Sequence, residues 1–238
     1  MRSPNTYPCL RAIAILTGVA IPLSLALIAQ AAERLAPPHT VGPSQSSPPT
    51  EEELDAMFLV GPTAIRSMGL RTVWQSTVAH KSGDTCKGVF TPDGDSVFVV
   101  DSDNGLTRIL SRDGSSIWRN SIGRATDSIF GVNRIRNGVT DEVFITLDNA
   151  IIGNDAGTGA LVNNNKLTQT PTTAPVRAGD YFIFGAKGGQ VAWQQFGLGF
   201  FLRSNELGGR INCAPILIGN GVAVASTSGQ VALLDAST

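Results

Sequence analysis

The sequence predicts an all-β protein built from repeated four-stranded units packed side by side, the architecture of a β-propeller. Three observations lead there. Glycine is abundant, at 26 of 238 residues, while charged residues make up only 16%. That balance suits many tight turns between short apolar strands. Two separate landmarks recur in step from about residue 73 onward. Between them lie short runs rich in Val, Ile and Phe, as in strands packed on both faces.

The first landmark is a polar turn. It occurs as Asp103-Asn104-Gly105, Asp148-Asn149-Ala150, Lys187-Gly188-Gly189 and Thr227-Ser228-Gly229, at spacings of 45, 39 and 40 residues. The second is an earlier turn in each unit: Asp93-Gly94, Asn137-Gly138, Ala178-Gly179-Asp180 and Asn220-Gly221, at spacings of 44, 41 and 42. Trp74 and Trp118 keep the same step, 44 residues apart. Self-similarity at this period, with several short strands per unit, is the signature of propeller blades. One such unit cannot bury its own faces, so the units must stack.

Each unit reads alike. Inner strands are expected at 88–91, 131–135, 174–177 and 214–218. A glycine turn follows, because a tight hairpin needs positive φ. Central strands are expected at 96–100, 142–147, 181–185 and 222–225, and third strands at 106–111, 151–154, 190–193 and 230–234. Outer strands run through 116–118 and 160–162. About four repeats are visible, and the fourth stops at Thr238 before its outer strand. The expectation is therefore a partial or truncated propeller. Residues 54–74 could complete a fourth blade; otherwise an edge is left for another chain to join.

The N-terminal part is of another kind. Arg2 and Arg11 precede a nearly uncharged run from Ala12 to Ala32, with a small-x-small site at Ala29-Gln30-Ala31. Residues 1–31 thus read as a secretory signal peptide, or as an uncleaved anchor, since the run is long enough to span hydrocarbon. Cys9 precedes this run, so it is not the lipidated cysteine of a lipoprotein signal. Residues 32–53, with Pro37-Pro38, Gly42-Pro43, Pro48-Pro49 and four glutamates, read as a disordered linker. Residues 54–72 read as a short helical or irregular preface, with Pro62 against one continuous helix. A formal charge of −1 and a pI of about 6.1 give no reason to expect nucleic acid or an anionic membrane surface as partner. Contact with a membrane is expected only through an uncleaved N-terminal segment.

The segments Asp155-Ala156-Gly157-Thr158-Gly159-Ala160-Leu161-Val162 and Ala232-Leu233-Leu234-Asp235-Ala236-Ser237-Thr238, with the looser Asp113-Gly114-Ser115-Ser116-Ile117-Trp118, carry a resemblance. They are similar to the pyrroloquinoline-quinone-type, or quinoprotein-like, propeller repeat. The resemblance covers about residues 73–238. It implies that the turn's Asp caps the backbone, that the Gly is left-handed, and that the Trp docks between adjacent blades. One branch of the family is quinone-dependent dehydrogenases; another is the non-catalytic, BamB-like branch that binds other proteins. The dehydrogenases carry adjacent cysteines and a metal-bound quinone. This chain has no adjacent cysteines, and no quinone-site residue can be placed by motif.

Candidate sites are few. Two histidines and three cysteines do not suit a structural zinc site, which wants four close ligands. His80, Asp84 and Cys86 suggest a nucleophilic set only weakly, and the stretch reads as a loop leading into a blade. Asp101, Asp103 and Asn104 look like a calcium loop, but Ser111 stands where an EF-hand has its bidentate Glu. The glycines of 153–159 and 185–189 lack a phosphate-loop Gly-Lys-Ser/Thr. Cys86 and Cys213 are either a disulfide, permitted outside the cytosol, or two buried thiols. Trp193, Phe196, Leu198, Phe200 and Phe201 put apolar residues where other units have a turn, and form the candidate partner surface. A buried, elongated hairpin is the other reading of that stretch. Together these features predict an exported, non-enzymatic protein-interaction scaffold of the cell envelope, with a protein partner and no cofactor. The alternative is a fragment or remnant of a quinone-dependent oxidoreductase.

Overall fold

Four antiparallel sheets follow one another along the chain, each with its strands in sequence order. In the computed structural model, residues 50–57, 60–78, 83 and 85–237 are described. The first sheet holds β1 (Cys86–Phe90), β2 (Ser96–Asp101), β3 (Gly105–Leu110) and β4 (Ser116–Ser121). The second holds β5 (Ile129–Arg136), β6 (Asp141–Leu147), β7 (Ala150–Asp155) and β8 (Leu161–Lys166). The third holds β9 (Val176–Ala178), β10 (Tyr181–Ala186), β11 (Gln190–Gln195) and β12 (Phe201–Glu206). The fourth holds β13 (Ile216–Ile218), β14 (Gly221–Ala225) and β15 (Val231–Asp235), so it has three strands among the described residues. The repeat reading thus holds for all four units, and the described residues of 54–74 supply no fourth strand beside β15.

The core lies between sheets rather than within them. Alternation along each strand gives every sheet two apolar faces. Phe98, Val100 and Leu106 of the first sheet pack on Val143, Ile145, Leu147 and Ile152 of the second. The other face of the second sheet, with Phe144 and Ile151, meets Phe182, Phe184, Ala192 and Phe196 of the third. Ile183, Val191 and Trp193 then meet Val222, Val224 and Ala236 of the fourth. Phe196 sits 4.8 Å from the rings of both Phe144 and Phe182. The β2–β3 turn is closed by Asn104 at φ +59°, a left-handed position that asparagine tolerates better than most residues.

Two helices come first: α1 (Glu51–Met57) and α2 (Pro62–Ser67). α1 starts inside the stretch read as linker, and a capping box explains why. The Thr50 amide donates to Glu53 Oε2 at 2.8 Å, and the Glu53 amide donates to Thr50 Oγ1 at 3.3 Å. Glu51, Glu52 and Glu53 also place negative charge on the positive end of the helix. Pro62 opens α2, where its missing N–H costs nothing. The signal or anchor at 1–31, the linker up to residue 49, and His80 and Asp84 lie outside the described residues. Among the described residues no helix is long and apolar enough to cross a membrane.

Candidate partner-binding surface

The stretch from Trp193 to Leu202 is not an insertion. It is the standard turn between a third and an outer strand. The Gln195 amide donates to Phe200 O at 2.7 Å, and the Gly199 amide to Gln195 O at 3.1 Å. The same pair of bonds closes the second sheet's turn, Asp155 to Ala160 and Gly159 to Asp155, both at 2.8 Å. It closes the first sheet's turn as well, Leu110 to Ser115 and Gly114 to Leu110, both at 2.9 Å. Gly114, Gly159 and Gly199 all have φ between +73° and +78°, a region that penalises a Cβ. In the second sheet Asp155 Oδ1 accepts from the Thr158 amide at 2.7 Å. Gln195 Oε1 takes that role toward the Leu198 amide. A glutamine thus does the work of the expected aspartate, which is why the repeat is hard to see here.

The candidate surface residues divide. Trp193 and Phe196 are buried in the inter-sheet cores. Phe201 is half-buried against the Phe144 cluster. Leu198 and Phe200 are open to solvent, at 72% and 64% exposure. Their counterparts in the other turns are Thr158 and Ala160 in the second sheet, and Asp113 and Ser115 in the first. This turn alone among those three presents two large apolar side chains. The part of the stretch able to meet a partner directly is Leu198 and Phe200, with Phe201 at its edge.

A second recurring feature joins neighbouring sheets. Trp118 Nε1, on β4, donates to Ala156 O in the next sheet's turn at 2.8 Å. Trp74 Nε1 donates to Ser111 O, the corresponding carbonyl of the first sheet, at 2.6 Å. Asn165, on β8, donates to Phe196 O at 2.9 Å. Arg203, on β12, donates to Asp235 O at 2.7 Å and to Ser237 O at 3.2 Å, the carbonyls flanking Ala236. The Arg203 guanidinium also lies 4.7 Å from the centre of the Trp193 ring, in cation–π range. Each outer strand is therefore latched to the following unit's turn. Sequence reading found Trp74 and Trp118. It missed Arg203, which faces Trp193 as Trp118 faces Arg108, and Asn165, which stands two residues beyond that register.

Charged groups reinforce the first junction. Arg134, almost wholly buried, forms a two-pronged pair with Asp141 at 2.6 and 2.7 Å and reaches Asp93 of the first sheet at 2.8 Å. These bonds raise the Arg134 pKa and lower that of Asp141. Arg136 pairs with Asp93 and Asp95. Arg108 is buried beside them, donating to Ser96 Oγ and to Ala156 O at 2.6 Å. Burial, then the neighbouring Arg134, depress its pKa. This arrangement reads as a blade-to-blade rivet.

The Asp101–Asn104 turn is a structural hub. Asp101 Oδ1 accepts from the amides of Gly105 at 2.7 Å and Asp103 at 3.0 Å, and its Oδ2 accepts from Arg119 at 2.5 Å. Burial alone would raise the Asp101 carboxyl; these donors outweigh it and hold the pKa below the usual carboxylate range. Asn104 Nδ2 donates to Arg124 O and Asp127 O, tying the turn to the loop after β4. Among the described residues no group of three metal-ligating side chains converges. Cys86 and Cys213 are both exposed and both free. They belong to the first and fourth units, and neither the disulfide nor the buried-thiol reading holds.

Stacked antiparallel units, the first three of them four-stranded with a left-handed glycine in the turn and a latch to the next, define a propeller of the quinoprotein-repeat type. Residues 70–238 match the PQQ-type family model described as outer membrane protein assembly factor BamB, and the chain belongs to that family. BamB from Moraxella catarrhalis is a structural match at TM-score 0.54 and 21% identity, over 71% of this chain and 50% of that one. The chain thus spans about half the length of that relative. The computationally designed Ika4 protein matches at TM-score 0.55 and 14% identity, over 70% of this chain and 99% of that one. No curated protein matches the sequence.

Proposed function

We infer that the protein is a non-enzymatic scaffold of the cell envelope, exported through its N-terminal segment, which holds another protein at the turn between β11 and β12. The observation that carries this reading is the exposed Leu198–Phe200 pair on a turn whose counterparts are small or polar. Large apolar side chains presented by a rigid turn are the usual core of a protein contact, and aromatic residues are enriched there. The family's description as an assembly factor supports a role in binding proteins rather than in chemistry.

The test places a photoreactive phenylalanine at position 200 of the full chain, with one at Val139, 94% exposed, as control. Illumination in whole cells, followed by fractionation, should give a discrete protein adduct in the envelope from position 200 and none from 139. Leu198→Asp should abolish it. Equal labelling from both positions, or an adduct indifferent to Leu198→Asp, would overturn the reading. Saturable binding of pyrroloquinoline quinone with calcium, read by absorbance, would favour the oxidoreductase alternative instead.

A further inference from the structure

The junction of the first and second sheets holds a cavity that the ion pairs of Arg134 do not fill. It measures about 530 Å³, within the range of small-molecule sites, and lies beside the β1–β2 and β3–β4 turns. Arg108, Arg112, Arg134 and Arg136 line it, and Asp95 is the one carboxylate among the described residues that do. Arg134 and Arg136 are committed to Asp93, Asp95 and Asp141. Arg112 is exposed and pairs with its neighbour Asp113.

Arg108 differs from the other three. It is only 7% exposed, yet its bonds go to neutral acceptors: Nε donates to Ser96 Oγ at 3.0 Å and Nη1 to Ala156 O at 2.6 Å. Its Nη2 has no partner among the described residues and is not sealed from solvent. A buried charge is costly unless an opposite charge and hydrogen bonds meet it. Asp93 and Asp141 favour the charge on Arg108 only through space, and burial together with Arg134 outweighs them, so its pKa is lowered. Nor does the repeat call for an arginine here. The third-strand residue just before the bulge is Arg108 in the first sheet, Gly153 in the second and Trp193 in the third. The Ala156 carbonyl, moreover, already has a donor in Trp118. The fold therefore accounts for neither the guanidinium nor its open nitrogen.

We propose that this cavity binds a carboxylate on the open side of the Arg108 guanidinium, with the more exposed Arg112 and Arg136 at its mouth. A planar guanidinium fork matches the two oxygens of a carboxylate. Charge selects a carboxylate over a phosphate. Arg108, Arg134 and Arg136 already stand with Asp93, Asp95 and Asp141, three against three, and a doubly charged guest would add repulsion beside Asp95. The class covers a small free organic acid and the Asp or Glu side chain of another protein.

The probe is acetate, observed by magnetic saturation transfer from the full chain to its methyl protons at constant ionic strength. The expected result is saturable transfer, with affinity about tenfold weaker in Arg108→Gln, the loss of one charge-assisted pair. A second readout needs no substitution. In the parent chain acetate should protect Arg112 and Arg136 from phenylglyoxal, followed by mass spectrometry, and leave the exposed Arg210 reactive. The α-amide of N-acetylglutamate, whose only charge is its side-chain carboxylate, separates the two sources. Displacement of acetate by it assigns the site to a protein side chain; its exclusion while acetate still binds assigns the site to a small free acid. Absence of saturable transfer, binding unchanged in Arg108→Gln, equal protection of Arg210, or binding of inorganic phosphate tighter than that of acetate would each overturn the proposal.

Discussion

Trp118 and Ala156 are joined across a sheet boundary: the indole Nε1 donates to the Ala156 carbonyl at 2.8 Å, and Arg108 donates to the same oxygen at 2.6 Å. Both donors come from the first sheet, and the acceptor lies in the turn of the second. The Trp118 ring also packs 6.0 Å from Phe98 and belongs to the first inter-sheet core. The side chain thus supplies buried area and a bond that fixes where the next unit sits. Trp118→Ala should destabilise the protein by about 3–5 kcal/mol, the cost of emptying a large aromatic site. Trp118→Phe keeps most of the area and loses the donor, leaving a buried carbonyl with one partner fewer; about 1–2 kcal/mol is expected. Urea unfolding of the two variants separates packing from bonding.

Gly159 tests the same contact from below. Its φ is +76°, and a Cβ there would lie 2.7 Å from the Trp118 ring. Gly138 is also left-handed, at φ +86°, but a Cβ there would meet nothing within 4 Å. Gly138→Ala should cost only the backbone term, about 1–2 kcal/mol. Gly159→Ala adds displacement of the indole, a further 1–3 kcal/mol or so for an overpacked core. If thermal melts rank the two equally, the ring does not rest on the glycine as the geometry requires.

Much of this was legible in the sequence because it is periodic. The turn glycines and the Val/Ile/Phe runs recur at nearly fixed steps, so strand positions agree with the expected ones to within a few residues. What was not legible depends on chemical substitution at a conserved geometry. Gln195 replaces an aspartate in the turn, and Phe196 replaces the small Ala156 because the neighbouring Phe144 and Phe182 leave a gap that a ring fills. The result imitates an insertion. Arg203 replaces tryptophan at the register of Trp118, while Asn165 reaches the next turn from two residues further along its strand, so the latch is a donor in reach rather than a residue type. The exposure of Cys86 and Cys213 follows from how the sheets stack, which no local pattern records.

Acid should loosen the first junction. The Asp141 carboxyl is lowered chiefly by its bond from Arg134, and that of Asp101 by donors that outweigh burial. A carboxyl whose folded pKa lies below its unfolded value of about 3.9 binds more protons when unfolded. Its contribution is fully present above the unfolded value and is lost as pH falls through the folded one. The melting temperature should therefore be flat above about pH 5 and drop below about pH 4. Asp141→Asn should lower the melting temperature at pH 7, by on the order of 1–3 kcal/mol in stability, and make the acid limb shallower. An unchanged acid limb in that variant would place the pH sensitivity elsewhere.

The β11–β12 turn separates residues that hold the fold from those free to bind. Phe196 is 4.8 Å from two other rings and its carbonyl accepts the Asn165 latch, so Phe196→Ala should cost about 3–5 kcal/mol. Leu198 and Phe200 flank Gly199 at the tip of the turn, and both are well exposed. Leu198→Asp and Phe200→Asp should stay within about 0.5 kcal/mol of the parent, as surface changes do. The difference is physical: Phe196 occupies a site that in the second sheet belongs to alanine, and its area is removed from water on folding, whereas Leu198 and Phe200 keep theirs in water in the free protein. Denaturant midpoints will show whether the two classes separate. If Leu198→Asp or Phe200→Asp destabilises as Phe196→Ala does, those side chains serve the fold, and the area left for a partner must be sought on another turn.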